Sequence, residues 1–278
     1  MEQKTHQEEI YEVVIHLMER RKNKSLTITS VPDEVERNKK AVDLHVRGED
    51  IDYYIEHTLI ESFPGQISDG WRIVELLDPL EKSLIGKLPP GHFTLAVACG
   101  AVAGATEVDK IQAALKKWIL EKSPSLSKEA SIKRRYTQYR EIPTNVPFEV
   151  VLSCEPRLDD CLYIARLVPP ELEEKRRERI QIALNNKCPK LKAAKTQHNS
   201  RSVLILESND IGLANQFLIA SAFTDETKKR IDDIPDETYL VETDISSQWS
   251  IWILKEGANY FSDISGYGPH YVERKVKE

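Results

Sequence analysis

A chain of 278 residues, 40% hydrophobic and 30% charged, can bury a core and keep a solvated surface, which sets global disorder aside. Its formal net charge of -6 argues against indiscriminate nucleic-acid binding, because phosphate rewards a basic excess that this chain lacks. No run approaches the roughly 18 apolar residues of a membrane span and residues 1–9 are polar, so a cytoplasmic protein with no membrane partner is expected.

In chain order, an amphipathic helix is predicted over 6–21, where Ile10, Val13, Val14, Leu17 and Met18 recur at helical spacing. Strands follow at 25–29, 41–46 and 53–59, so the chain opens α-β-β-β, with Val31-Pro32-Asp33-Glu34 turning between the first two. Phe63-Pro64-Gly65-Gln66 breaks the chain before a helix reaching residue 84. The apolar run 92–98 reads as a buried strand, and the helix over 107–120 carries Val108, Ile111, Leu115 and Ile119 on one stripe. The polar segment 122–147 contains three prolines and little periodicity, which marks it as a loop or insertion and the best candidate for mobility. Strands at 148–153 and 161–167, around a turn at 156–160, suggest a hairpin, and Pro169-Pro170 opens a charged helix ending near Lys187. Strand 202–207, helix 211–222 and strand 238–243 suggest a crossover with parallel pairing, ahead of a last strand at 250–255. With no flexible linker between self-sufficient halves, one elaborated α/β domain over 1–278 is expected, a mixed central sheet flanked by helices.

The passage richest in chemistry is Ala41-Val42-Asp43-Leu44-His45-Val46 and, after a charged turn, Tyr54-Ile55-Glu56-His57-Thr58-Leu59. Asp43 and Glu56 are acids inside strand patterns, where a carboxylate is costly unless paired, hydrogen-bonded or bound to a metal. A hairpin through 47–52, centred between positions 49 and 50, would set them side by side. Two oxygen ligands on a rigid sheet, with open positions for water and phosphate, suit Mg²⁺ or Mn²⁺ acting on a phosphodiester.

Here the chain resembles the PD-(D/E)XK nucleases, the restriction-endonuclease-like superfamily, whose motif places an acid on one strand and an acid-x-lysine triplet on the next. Asp43 matches the first acid and Glu56-His57-Thr58 the triplet. The resemblance spans residues 6–60 and includes the order of a helix and three strands. It implies a restriction-endonuclease-like core with a large insertion or C-terminal elaboration, completed by a helix and strand from either 67–98 or 170–207. It also implies that a helix glutamate, for which Glu9 at the flank of the apolar stripe is the match, joins Asp43 and Glu56 at the metal. Thr58 departs from the pattern, because a hydroxyl cannot supply the positive charge of the family's lysine. The family allows that lysine to come from another element, and Lys187 and Lys190 are the candidates, their plainer reading being cations favoured at a helix C-terminus. The resemblance therefore implies a metal-dependent nuclease hydrolysing phosphodiester bonds of DNA or RNA with Mg²⁺ or Mn²⁺. The alternative is a catalytically inactive nuclease-like scaffold that binds a nucleic acid, a protein partner or further copies of itself.

Other residues carry weaker signals. His57 should face away from Glu56 as a buried, hydrogen-bonded histidine, while His45 shares Asp43's face. The small residues of 98–106 could bring phosphate to a helix N-terminus, but neither GxGxxG nor GxxxxGK[ST] is present; Thr106 with Asp109 resembles a capping pair. Glu207 and Asp210 end a strand where open sheets place ligands, and Asp210 also reads as a helix cap. The clusters at 133–135 and 175–179 read as solvated helix faces laced with ion pairs. Cys99, Cys154, Cys161 and Cys188 show no CxxC spacing and read as buried or half-buried thiols.

Overall fold

The computed structural model describes residues 4–32, 41–156, 160–195, 200–230, 232–244, 248–260 and 270–273. The turns expected at 31–34 and 156–160 lie in part outside the described residues. In chain order the elements are α1 (His6–Lys22), β1 (Thr27–Ser30), β2 (Leu44–Arg47), β3 (Asp52–Leu59), α2 (Gln66–Leu84), β4 (His92–Ala98), α3 (Val108–Lys133), β5 (Thr137–Glu141), β6 (Val150–Glu155), β7 (Cys161–Leu167), α4 (Leu172–Ala194), β8 (Ser200–Ser208), α5 (Gln216–Lys228), β9 (Glu237–Glu242), β10 (Gln248–Glu256), β11 (Asn259–Tyr260) and β12 (His270–Glu273). No helix among the described residues is long and apolar enough to cross a membrane. Where the sequence suggests one elaborated domain, contacts divide the chain into two compact units, residues 1–63 with 173–278, and residues 64–172.

The first unit is built on a mixed sheet in the order β1-β2-β3-β8-β9-β10-β11, with β12 also on β10. The pairs β3/β8 and β8/β9 are parallel, and β1/β2, β2/β3 and β9/β10 antiparallel. The alternation of each strand makes two apolar faces. Tyr53, Ile55, Val203, Ile205, Tyr239 and Val241 form one core with Ile10, Val14, Leu17 and Met18 of α1. Tyr54, Leu204, Leu206 and Leu240 form the other with Ile180, Leu184, Cys188 and Leu191 of α4 and Ile219 and Phe223 of α5. A capping box fixes the start of α1: the Thr5 hydroxyl accepts from Glu8 N, and the Glu8 carboxylate accepts from Thr5 N at 2.6 Å.

Several boundaries in this unit differ from expectation, among them β2, which begins at Leu44 rather than 41 and so leaves Asp43 ahead of the strand. α4 runs to Ala194 rather than ending near Lys187, because Cys188 and Leu191 continue its buried stripe past Pro189. α5 starts at Gln216 rather than 211, because residues 210–214 form a bound turn. The buried Arg176 guanidinium and Ser62 Oγ both donate to Leu213 O, and Asp210 Oδ1 accepts from Leu213 N at 3.3 Å. The cap of α5 is thus Asn215 and not Asp210, and Arg176 is no solvated helix-face residue.

The second unit has a sheet in the order β5-β6-β4-β7, with α2 and α3 supplying Leu76, Leu77, Leu115, Ile119 and Leu126 to a core with Phe93, Leu95, Val150 and Leu152. The expected hairpin of β6 with β7 does not form. β4 lies between them, antiparallel to β6 and parallel to β7, because its apolar side chains make it the better centre of the sheet. The loop expected over 122–147 is also corrected: α3 continues through Pro124 to Lys133, since Ser123, Leu126, Ser127 and Ala130 are buried, and β5 follows. α3 opens at Glu107 with no side-chain cap, so the Thr106–Asp109 pair does not form.

Candidate active site

The β2–β3 hairpin has the expected register: Leu44 faces Ile55, His45 faces Tyr54 and Arg47 faces Asp52, around a turn closed by Gly48 N donating to Ile51 O at 2.9 Å. Asp43, directly ahead of β2, is thereby carried to β3, where its Oδ2 accepts from His57 N at 2.8 Å. Glu56, between Ile55 and His57, turns to the α4 face and is fully buried. α4 delivers the counter-charges one helical turn apart. Lys187 Nζ lies 2.5 Å from Glu56 Oε2 and 3.3 Å from Asp43 Oδ2, while Lys190 Nζ lies 3.4 Å from Glu56 Oε1. Both lysines precede the last turn of α4, so these acids, rather than the helix dipole, account for their placement.

Burial, reinforced by the charge of Asp43, raises the Glu56 carboxyl above the ordinary carboxylate range, against the opposing pull of Lys187 and Lys190. Burial alone would lower the Lys187 ammonium, but the adjacent Glu56 and Asp43 outweigh it and raise it above the usual lysine value. Lys187 therefore stays a cation. The Glu56 carboxylate is held by two ammoniums, Lys187 on Oε2 and Lys190 on Oε1.

A cleft of about 490 Å³ opens beside Asp43, lined by Lys4, Thr5, Gln7, Glu8, Tyr11 and Glu12 at the start of α1 and by Ile28, Val31 and Leu44. Glu9 is half-buried on the same helix. Tyr11 carries no signal in the sequence, since an aromatic residue on an apolar helix stripe reads as core. Its hydroxyl accepts from Gln7 Nε2 at 2.5 Å, and its ring meets His57 edge-on. Burial, with the charge of Asp43 nearby, raises its phenol above the ordinary tyrosine value.

His57 is hydrogen-bonded on the α1 face, as expected, but half-buried rather than buried, with Nε2 3.0 Å from Glu207 Oε2. Glu207 also meets His6 Nε2 at 2.7 Å and accepts from Thr243 Oγ1 at 2.8 Å. Burial alone would raise its carboxyl, but these three partners lower it to about 2. His45 bonds Thr29 and Asp52 and stacks on Tyr54. Thr58 is half-buried on β3, opposite Leu206 of β8. The four cysteines are free thiols, with Cys161 exposed rather than buried and 3.0 Å from His92 Nδ1.

No group of three or more His, Cys, Asp or Glu side chains among the described residues is arranged to hold a metal ion. Asp43 and Glu56 are two hard carboxylate oxygen donors at this place, and both are faced by lysine ammoniums. No family model, curated protein or solved structure matches the chain.

Proposed function

We propose that the chain is a metal-dependent nuclease with a restriction-endonuclease-like core, in which α1, β1, β2 and β3 are completed by α4 and β8, and residues 64–172 are the large insertion. The observation that carries this reading is one ammonium, Lys187 Nζ, within 3.3 Å of Asp43 and 2.5 Å of Glu56. It supplies from α4 the charge that Thr58 cannot. Asp43 and Glu56 would hold Mg²⁺ or Mn²⁺, which when bound supplies Lewis acidity and eases deprotonation of water. The chain's own residues do the rest. Water attacks phosphorus as its proton passes to solvent, the phosphorus–oxygen bond to the leaving nucleotide breaks and that oxygen takes a proton from solvent, while Lys187 stabilises the negative charge growing on the phosphoryl oxygens. Lys190 opposes the upward shift of the Glu56 carboxyl, and the backbone N–H of His57 fixes the direction of Asp43.

The second reading is a scaffold that binds a nucleic acid, a protein or its own copies without chemistry. It is favoured by Lys187 and Lys190 already neutralising both acids and by the lack of a third acid in the group. Calorimetric titration with Mn²⁺ separates the two. The nuclease reading requires wild-type protein to bind and Asp43→Ala to lose that binding; equal heats from both proteins would leave the scaffold.

A further inference from the structure

In the sheet of the second unit, His92 of β4 pairs with Cys161 of the parallel β7 and with Glu155 of the antiparallel β6. Paired residues share a face, and this row lies opposite the one that Phe93, Cys154 and Leu162 turn into the core. Cys161 is exposed, and its Sγ is 3.0 Å from His92 Nδ1. A tether fixes that approach: Gly91 N donates to Asp160 Oδ1 at 2.6 Å, joining the two residues that directly precede His92 and Cys161. In the tautomer that carries its proton on Nε2, His92 accepts from the thiol. The Asp43 and Glu56 site, in the other unit, makes no use of this pair.

We infer that Cys161 and His92 form a second reactive site, a nucleophilic thiol with its base, whose substrate is a small neutral hydroperoxide. An accessible thiol beside an imidazole is the nucleophile and base that sulfur chemistry needs. Glu155 in the same row and Asp160 next along the chain disfavour a standing thiolate and repel anionic electrophiles. A neutral electrophile suits that setting, with the thiol proton leaving as the new bond forms. For hydrogen peroxide, sulfur attacks one oxygen, the S–O bond forms and the O–O bond breaks. The thiol proton passes to His92 Nδ1 and on to the departing hydroxide, which leaves as water. Sulfur loses two electrons and becomes a sulfenic acid, while the peroxide gains them. Cys154 faces the core from the other side of the sheet and Cys99 follows the far end of β4, so neither is placed to close a disulfide. The sulfenic acid therefore lasts until an external thiol condenses with it and releases water.

The test exposes the reduced full chain to hydrogen peroxide with a dimedone-type trap for sulfenic acids, read at each cysteine by peptide mass spectrometry. At about pH 7, Cys161 is expected to label several-fold faster than N-acetylcysteine amide in the same solution, with the buried Cys154 and Cys188 unlabelled. His92→Gln should lower the Cys161 rate to that of the small thiol. At about pH 10, where hydroxide removes the thiol proton, the variant and wild type should label alike. A wild-type Cys161 no faster than the small thiol overturns the inference, whether or not the variant folds. So does a variant that labels like wild type at about pH 7, or one that stays slow at about pH 10, because His92 would then shape the strand and move no proton. Each of these outcomes is independent of the nuclease reading.

Discussion

A fully buried carboxylate beside a second carboxylate depends on its cations, and Glu56 has two of unequal reach. Lys187→Met strips the bridge from both acids and should cost about 3 kcal/mol in denaturant unfolding, in the range for breaking a buried pair. Lys190→Met should cost clearly less, because Lys187 still serves both; equal losses would argue against the bridge. On the α1 face, Glu207 gives a pH dependence of definite sign. Its carboxyl is lowered from 4.5 to about 2, so its contribution is present above pH 4.5 and is lost as pH falls toward 2. Glu207→Gln should therefore be less stable than wild type at pH 7 by about 3 kcal/mol, with the gap closing between pH 4.5 and 2 in denaturant titrations. A gap that is constant with pH would contradict this origin. Asp43 and Glu56 were legible in the sequence because a charge inside an apolar pattern demands a reason, whereas Lys187 and Lys190 were candidates only through the family resemblance. Tyr11, His6 and Thr243 were not, because an aromatic on a stripe, an exposed helix histidine and a strand-end threonine each have ordinary explanations, and long-range contacts decided their roles.

The hairpin of β2 and β3 sets the pair, and its register was readable because a charged turn between two patterned strands leaves one pairing that keeps every apolar side chain inward. That turn is sensitive at Gly48, where a Cβ would lie 2.9 Å from Ile51 O and 3.2 Å from Leu26 Cδ2. Gly48→Ala should destabilise the protein by about 1–3 kcal/mol and weaken Mn²⁺ binding, since the turn positions Asp43 against β3. Gly91→Ala is the contrast: with φ at 135° and Cys154 Sγ 2.7 Å from an added Cβ, it strains the second unit. It should lower stability while leaving Mn²⁺ affinity as in wild type, and a loss of affinity there would show the site is not confined to the first unit. The elements misread from sequence share a cause. β6 and β7 are neighbours in the chain with a turn between them, yet the apolar β4 takes the place beside both. Likewise α3 passes Pro124 because Leu126 and Ala130 bury against the second core, a tertiary gain that local propensity does not contain.

Each unit holds its own apolar core, Ile73 to Leu162 in one and residues from both flanking segments in the other. This nesting was not legible because the entry and exit at residues 63 and 173 carry no long linker, and a two-unit chain without one reads as a single domain. Residues 64–172 expressed alone are expected to unfold cooperatively in denaturant with dispersed amide spectra; a non-cooperative slope would show that their core needs the rest of the chain. The mixed sheet flanked by helices, in contrast, followed from the alternation of patterns. The candidate site is assembled within the first unit, from Asp43 ahead of β2, Glu56 of β3 and Lys187 of α4. The most direct test is incubation of purified wild type and Asp43→Ala with single- and double-stranded DNA and RNA in Mg²⁺ and in Mn²⁺, following strand length. Wild type should shorten at least one of these polymers only when the metal is present, and Asp43→Ala, folded as wild type, should leave all of them intact; cleavage by neither protein, or by both alike, would contradict the nuclease reading.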